Sequence, residues 1–266
     1  MDDAAWNPAQ YLKFGGERLR PGFELLARVG DLPPGAIFDL GSGTGEHARA
    51  IAARWPDRRV TGLDHSADML RRAGASPAPA NLTWQEADIR DWAPPAPAAL
   101  IFSNAALHWL PDHDALFPRL MRAVAPGGTL AVQMPGNFRE PSHTLIRDLA
   151  LEPDFRAKLA PLTEPGGSLC DDLVQAPDFY YSVLAPLAPG GVDLWQTTYL
   201  TALRGERPVL EWIKGSILRP AFDPLDPREK IEFENRLAAR LARAYPKRDD
   251  GVTLFPFRRI FVVARR

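Results

Sequence analysis

Cysteine is nearly absent: one thiol, Cys170, in 266 residues. A lone cysteine closes no internal disulfide, which excludes the small secreted scaffolds held by bridges and predicts a reducing, cytoplasmic setting. Net charge is equally scarce. With 32 Lys and Arg against 33 Asp and Glu, the chain carries −1 at pH 7. It shows neither a basic stripe nor an NPPY-type motif, so nucleic acid is not an expected partner. No apolar run approaches the ~20 residues that span a bilayer. The start, MDDAAWNPAQ, lacks the basic and apolar regions of a secretory leader, so none is expected, and with no spanning run no membrane partner is expected either. Internal repeats and long low-complexity segments are missing. No His/Cys/Asp/Glu cluster has metal-ligand spacing, and no metal is expected. There is also no GK[ST] to cradle a triphosphate.

What is present fits one well-buried core, or a core with insertions, at 45% hydrophobic content. Prolines cluster at 77–79 and 94–97, which read as loops. From Gly190 onward, 15 Lys and Arg stand against 10 Asp and Glu, leaving room for a cationic pocket. Residues 8–28 read as a helix that Pro21 breaks or restarts. Strands are then expected at 36–40, 59–64, 81–87, 98–103 and 129–134. Helices are expected at 46–54, 67–73 (capped by Ser66) and 114–124, the last stopped by the PGG at 126–128. This alternation predicts an α/β fold with a parallel sheet. Residues 137–188 are irregular and partly helical. A strand at 192–200, a helical run in PVLEWIKGSI, a charged helix at 227–244 and a final strand at 259–265 complete the chain.

FDLGSGTGEHA, at 38–48, carries three alternating glycines just after the first strand. A strand, glycine loop and helix bind small molecules at the carboxyl edge of a parallel sheet. The dinucleotide fingerprint G-x-G-x-x-G does not fit, because position 46 is Glu. Asp39 instead places a carboxylate beside the loop, which suits a cationic ligand. Asp64 ends the second strand, where it can accept from ribose hydroxyls. Asp88 and Ile89 follow the third strand, where an Asp can accept from an adenine amino group while Ile packs on the ring. Asn104 and its neighbours follow the fourth.

This set resembles the class I S-adenosylmethionine-dependent methyltransferases over residues 36–135. The resemblance implies a Rossmann-like, mostly parallel seven-stranded sheet with helices on both faces and a helical cap. It makes the chain a single methyltransferase domain. The core would take 30–136, 190–204 and 252–266, and the cap and insertions 1–29, 137–189 and 205–251. S-adenosylmethionine is the implied cofactor, with S-adenosylhomocysteine as product. Asp39, Gly41, Ser42, Gly43, Gly45, Asp64, His65, Met69, Asp88, Ile89, Asn104 and Ala105 are the residues expected to bind it.

Stretches outside the loop, among them WNPAQYLKF, NAALHWLPDHDALFP, LAVQMPGN, WQTTY, LRP and RIFVVARR, resemble nearly end to end a branch of that family that esterifies a carboxylate. The reaction so implied needs no general base, because the nucleophile is already ionised at pH 7. It does need a grip on a polycarboxylate, for which the forked guanidinium of arginine is suited. Arg219 and Arg259 are the first candidates and Arg18 the third, with Tyr180, Tyr181, Trp109 and His108 as walls or hydrogen-bonding groups. His108 reads either as a group orienting the acceptor or as a packed histidine, and His113 as a helix-entry residue. Trp6, Tyr11 and Phe14 read either as a flap or as one face of a packed helix. A monomer or weak homodimer is expected. Three other readings stay open: a small-molecule O- or N-methyltransferase for a different acceptor, a nicotinamide-dependent oxidoreductase, and a cofactor sensor without turnover.

Overall fold

The computed structural model describes residues 15–170, 173–215 and 217–266. Trp6, Tyr11 and Phe14 lie outside them. The side chain of Arg18 is likewise outside the description, although its backbone belongs to the first helix.

Seven strands form one sheet: β1 (Ile37–Leu40), β2 (Val60–Asp64), β3 (Leu82–Glu86), β4 (Ala98–Asn104), β5 (Val124–Pro135), β6 (Val192–Leu203) and β7 (Thr253–Arg265). Their order is β3-β2-β1-β4-β5-β7-β6. The first five are parallel to their neighbours, and β7 runs antiparallel to β5. The sheet is therefore mixed but mostly parallel. Each early βα unit follows its sequence signal. After the glycine loop, α2 spans Glu46–Arg54. Ser66 caps α3 (Ala67–Ala75) by accepting from Met69 N at 3.4 Å. α4 (His113–Ala123) leads into β5.

Three elements depart from the sequence reading. Helix α1 (Gly15–Arg28) runs through Pro21 rather than breaking there. Pro21 removes one hydrogen bond, but the following half of the helix buries Leu25 and Leu26. Tertiary burial outweighs the local defect. Second, the PGG at 126–128 does not separate α4 from β5. The strand already starts at Val124 and carries a register irregularity opposite Ala98 and Leu100. The chain terminus closes this bend, since Gly127 N donates to Arg266 O at 2.6 Å and Arg266 N to Gly128 O at 3.0 Å. Third, β7 begins at Thr253, six residues before the expected start. Phe255 and Phe257 are buried while Leu254 is exposed, the alternation of a half-buried strand.

The chain divides into two compact units. The sheet unit comprises Leu19–Pro135, Leu173–Thr197 and Arg259–Arg266. On one face of its sheet, Leu116, Phe117, Leu120 and Met121 of α4 and Tyr180 and Leu184 of α7 (Pro177–Leu184) join Phe38, Leu40, Ile101, Leu130 and Val132 in one cluster. On the other face, the His47 ring of α2 lies 5.9 Å from Phe102 and 4.9 Å from Phe23 of α1.

Among the described residues, the helical unit comprises 15–18, 136–170 and those between Thr198 and Arg258. It holds α5 (Pro141–Ala150), α6 (Pro153–Thr163), α8 (Pro208–Lys214), α9 (Arg219–Phe222) and α10 (Pro227–Ala244). α10 packs on α5 and α8. A second core gathers Phe155, Trp212, Phe233, Leu237 and Phe255. Among the described residues, no helix is long and apolar enough to cross a membrane.

Candidate functional site

The glycine loop leaves β1 with Gly41, Gly43 and Gly45 at φ of 72°, 56° and 86°. All three occupy the left-handed region, which costs an L-residue about 1–2 kcal/mol. The loop is tied to β2: Ser42 N donates to Leu63 O at 2.7 Å, and Gly43 N to Asp64 Oδ2 at 2.8 Å. The glycines differ in what surrounds them. A Cβ at Gly45 would stand 2.2 Å from Cη2 of Trp84, a β3 side chain lying over the loop. A Cβ at Gly43 would meet nothing within 4 Å. Gly45 thus serves packing, whereas the space beside Gly43 is open. Trp84 was not singled out from sequence, since one aromatic on an edge strand carries no motif.

Asp39 ends up 2% exposed beneath this loop. Burial first, then the carboxylates of Asp64 and Glu46, push its pKa from 3.8 to about 8, against the pull of a backbone hydrogen bond from Ala48. Asp39 Oδ2, Ser42 Oγ and Asn104 Oδ1 are buried with no hydrogen-bond partner among the described residues. Each such atom costs about 1–3 kcal/mol when left unmet. Three oxygens able to accept, one of them a carboxylate, suit a ligand that brings positive charge and N–H donors. The amino group and sulfonium of S-adenosylmethionine fit that description.

Asp64 is 8% exposed. Its Oδ1 accepts from Ser66 N at 2.9 Å while Oδ2 holds the loop. A carboxylate offers about four acceptor positions, so capacity remains for hydroxyls. His65 is exposed, 3.5 Å from Asp64 Oδ1. Met69 is half-buried on α3. Asp88 follows β3 as expected, but Arg90 already forks onto it, with Nη2 at 2.6 Å and Nε at 2.9 Å from Oδ2. The Arg90 hydrogen bonds hold the Asp88 carboxyl below its ordinary pKa. Ile89 is half-buried and packs on the core. Sequence reasoning missed Arg90, although a residue two after an Asp is well placed to fold back on it.

Beyond β4, Ala105 takes φ 53°, a left-handed value unusual for alanine, and its N–H donates to Gln133 O on β5 at 2.9 Å. Strain of this kind collects at functional turns. Gln133 itself is 0% exposed, and neither its Oε1 nor its Nε2 has a partner among the described residues. Sequence reasoning missed it too, since a lone Gln in an apolar strand stands out only once its burial is known.

His108 is buried, its ring 4.6 Å from the half-exposed Trp109. Tyr181 is exposed. Tyr180 is not a wall of an open site. It is fully buried, its hydroxyl lies 2.8 Å from His113 Nδ1, and it accepts from Gln175 N at 3.0 Å. His113 does enter a helix, as expected, but it is buried as well, with Nε2 3.0 Å from Leu107 O. The two side chains form a core hydrogen-bonded pair, which only the packing of α7 on α4 creates. Arg259 is buried on β7, opposite Pro135. Arg219 is half-buried and opens α9 of the helical unit.

A methyltransferase-domain family model matches residues 37–128. Trans-aconitate 2-methyltransferase of Methylobacterium nodulans is 45% identical over 99% of this chain and 99% of its own length. The enzyme of that name from Streptomyces coelicolor is 45% identical over 98% of this chain and 86% of its own length. The chain belongs to the trans-aconitate 2-methyltransferase family. Haemonchus contortus phosphoethanolamine N-methyltransferase 2, solved with S-adenosyl-L-methionine, shares the fold alone. Its TM-score is 0.52 at 18% identity, covering 96% of this chain and 56% of that one. In this member of the trans-aconitate 2-methyltransferase family, every candidate cofactor residue from Asp39 to Ala105 falls inside the segment matched by the general domain model. Gln133, Arg219 and Arg259 fall outside it, within the stretch that the Methylobacterium nodulans relative matches.

Proposed function

We infer that this chain transfers the methyl group of S-adenosylmethionine to a carboxylate of trans-aconitate, giving the monomethyl ester and S-adenosylhomocysteine. The observation that carries this reading is its 45% identity, over 99% of both chains, to an enzyme of that name. The sheet edge, ordered from a ribose-type acid through a cation-seeking loop to a buried arginine, supports it.

The cofactor supplies a methyl group on a sulfonium, activated for attack by an oxygen lone pair. Asp39, Ser42, Asn104 and the half-buried backbone of Gly43 bind its amino-acid end, with Gly41, Gly45 and Ala105 shaping the turns around it. Asp64 and His65 hold the ribose. Asp88, Ile89 and Met69 frame the adenine. The acceptor carboxylate is ionised at neutral pH, so no side chain must remove a proton. The remaining work is alignment and exclusion of water, and orientation alone can supply roughly 7–11 kcal/mol of the barrier. Arg259 holds a carboxylate that does not react, with Trp109, Tyr181 and His108 of the same unit as walls. A guanidinium on the attacking oxygen would quiet it, so the reacting carboxylate is the one without an arginine. The partner is a small polycarboxylate rather than nucleic acid or a membrane, the enzyme is a monomer or weak homodimer, and its setting is the cytoplasm.

Turnover with S-adenosylmethionine and trans-aconitate tests this, with cis-aconitate, isocitrate and citrate as controls and products identified by mass and NMR. A monomethyl ester formed fastest from trans-aconitate is the expected result. Cofactor binding without ester from any of the four would remove the substrate assignment and point to a different acceptor.

A further inference from the structure

The carboxyl ends of the strands in the sheet unit carry a row of polar side chains that continues past the cofactor residues. Asp64 ends β2, the glycine loop follows β1, and Asn104 ends β4. Gln133 is the in-register partner of Asn104 across β4 and β5, and of Phe261 across β5 and β7. Arg259 lies two residues before Phe261, opposite Pro135. Residues two apart on a strand share a face, so Asn104, Gln133 and Arg259 stand on one face of three successive strands. Trp195 closes this face beyond them, stacked on Phe261 at 4.6 Å.

Gln133 is completely buried, and its amide has no hydrogen-bond partner at either atom among the described residues. Asn104 Oδ1, one strand away, shares that property. Buried polar atoms are nearly always paired, and an exception calls for an explanation. An apolar residue of equal length would fill the same place without the cost. The candidate cofactor residues end on β4, which puts β5 on the acceptor's side of the row.

We propose that Gln133 binds the reacting carboxylate of the acceptor, its amide N–H orienting the attacking oxygen. Arg259, one strand further out, takes a carboxylate that does not react. This rests on the polycarboxylate reading above and supplies what that reading requires. A neutral amide donates one hydrogen bond and leaves the carboxylate its charge and its remaining lone pairs. A guanidinium would engage both oxygens and withdraw the charge that attacks. The strand order thus assigns the two carboxylates different partners, amide for the nucleophile and guanidinium for the anchor.

Gln133→Met keeps length and removes both polar atoms, and Gln133→Glu keeps shape and places a negative charge against the substrate. Steady-state turnover of trans-aconitate, calorimetric titration of trans-aconitate into enzyme saturated with S-adenosylhomocysteine, titration of S-adenosylhomocysteine alone, and thermal melts are compared with wild type. In Gln133→Met, loss of a hydrogen bond to a charged group should lower both kcat/KM and trans-aconitate affinity by about 10- to 100-fold. S-adenosylhomocysteine affinity should hold and the Tm of Gln133→Met should hold or rise, since no unmet polar atom is left, with a deeper loss of turnover in Gln133→Glu, which also carries the test if the Met variant does not fold. Unchanged acceptor affinity and turnover in the variants would overturn the proposal and leave Gln133 as a partner of buried water. A parallel fall in S-adenosylhomocysteine affinity would also overturn it, moving Gln133 to the cofactor. Absence of ester from the wild-type enzyme would defeat the functional reading itself, and that result is read before any variant is made.

Discussion

Asp39 shows how one side chain ties stability to ligand chemistry. Folding lifts its pKa from 3.8 to about 8, so between those values the folded chain holds a proton that the unfolded chain has lost. The stability from this site is full below about pH 4 and declines as pH rises through 8. A cationic cofactor favours the ionised form, so S-adenosylmethionine affinity should rise with pH toward 8. Asp39→Asn should melt above wild type at pH 8, with the gap closing near pH 4. The same variant should bind S-adenosylmethionine more weakly, while the uncharged sulfur of S-adenosylhomocysteine makes it less sensitive. Melting curves and calorimetry across pH check both statements. The glycines divide in the same manner. Gly43→Ala carries only left-handed strain, about 1–2 kcal/mol, whereas Gly45→Ala also drives a methyl group into Trp84. Gly45→Ala should therefore melt lower, and Gly43→Ala should lose more cofactor affinity for each degree of Tm lost.

At the scale of elements, α10 is the best-specified helix. Asp226 Oδ1 accepts from Arg228 N and Glu229 N, both at 2.9 Å, and Glu229 Oε2 accepts from Asp226 N at 2.7 Å. Pro227 occupies the first turn, where its missing N–H costs nothing. The helix limits read from sequence coincide with those observed, while the capping box at D-P-R-E was not singled out there. Lys158 of α6 also reaches Glu229, at 2.6 Å, so the cap fastens two helices. Asp226→Ala should lower the Tm of the helical unit by about 2–4 °C, and far-UV circular dichroism on heating would detect it. The strands of the late chain were less legible. β7 was read as seven residues but spans 13, because Pro256 and Phe257 resemble a loop until the core around Phe255 shows them to be strand.

At the scale of the molecule, two separate cores and their buried histidines govern the response to acid. Burial lowers the pKa of His47 and His113 in the sheet unit and of His143 in the helical unit, the last to about 3. Below about pH 6.5 the unfolded chain takes up protons that these folded side chains refuse. Their stability is present above that pH and lost on acidification, down to about pH 3 for His143. Asp39 gains stability over part of the same range, but three depressed histidines oppose one raised aspartate. Unfolding free energy should therefore fall between pH 6.5 and 4, and urea titrations at several pH values would show whether it does. His143→Gln should flatten the acid limb, and in Asp39→Asn the alkaline decline should be the part that flattens.

By itself the sequence determined the order of strands and helices through the first five strands, the glycine loop and the acid at the end of each early strand. These signals are local. An apolar run, a cap, a turn residue and a short spacing all act within a few residues, and Asp39, Asp64 and Asp88 each sit where such a spacing places them. Only the tertiary structure decided which polar groups are buried and what they meet. Tyr180 and His113 are 67 residues apart in the chain, yet they share one hydrogen bond. Arg258 and Arg259 are adjacent but point to opposite sides of β7. Arg258 serves Gly136 O and Glu140 in the helical unit, and Arg259 is buried in the sheet unit. Gln133 looks like any polar residue in a strand until its neighbours from β4 and β7 enclose it. Burial is set by contacts between segments far apart in sequence, and the cost of an unmet polar group exists only where those contacts exclude water.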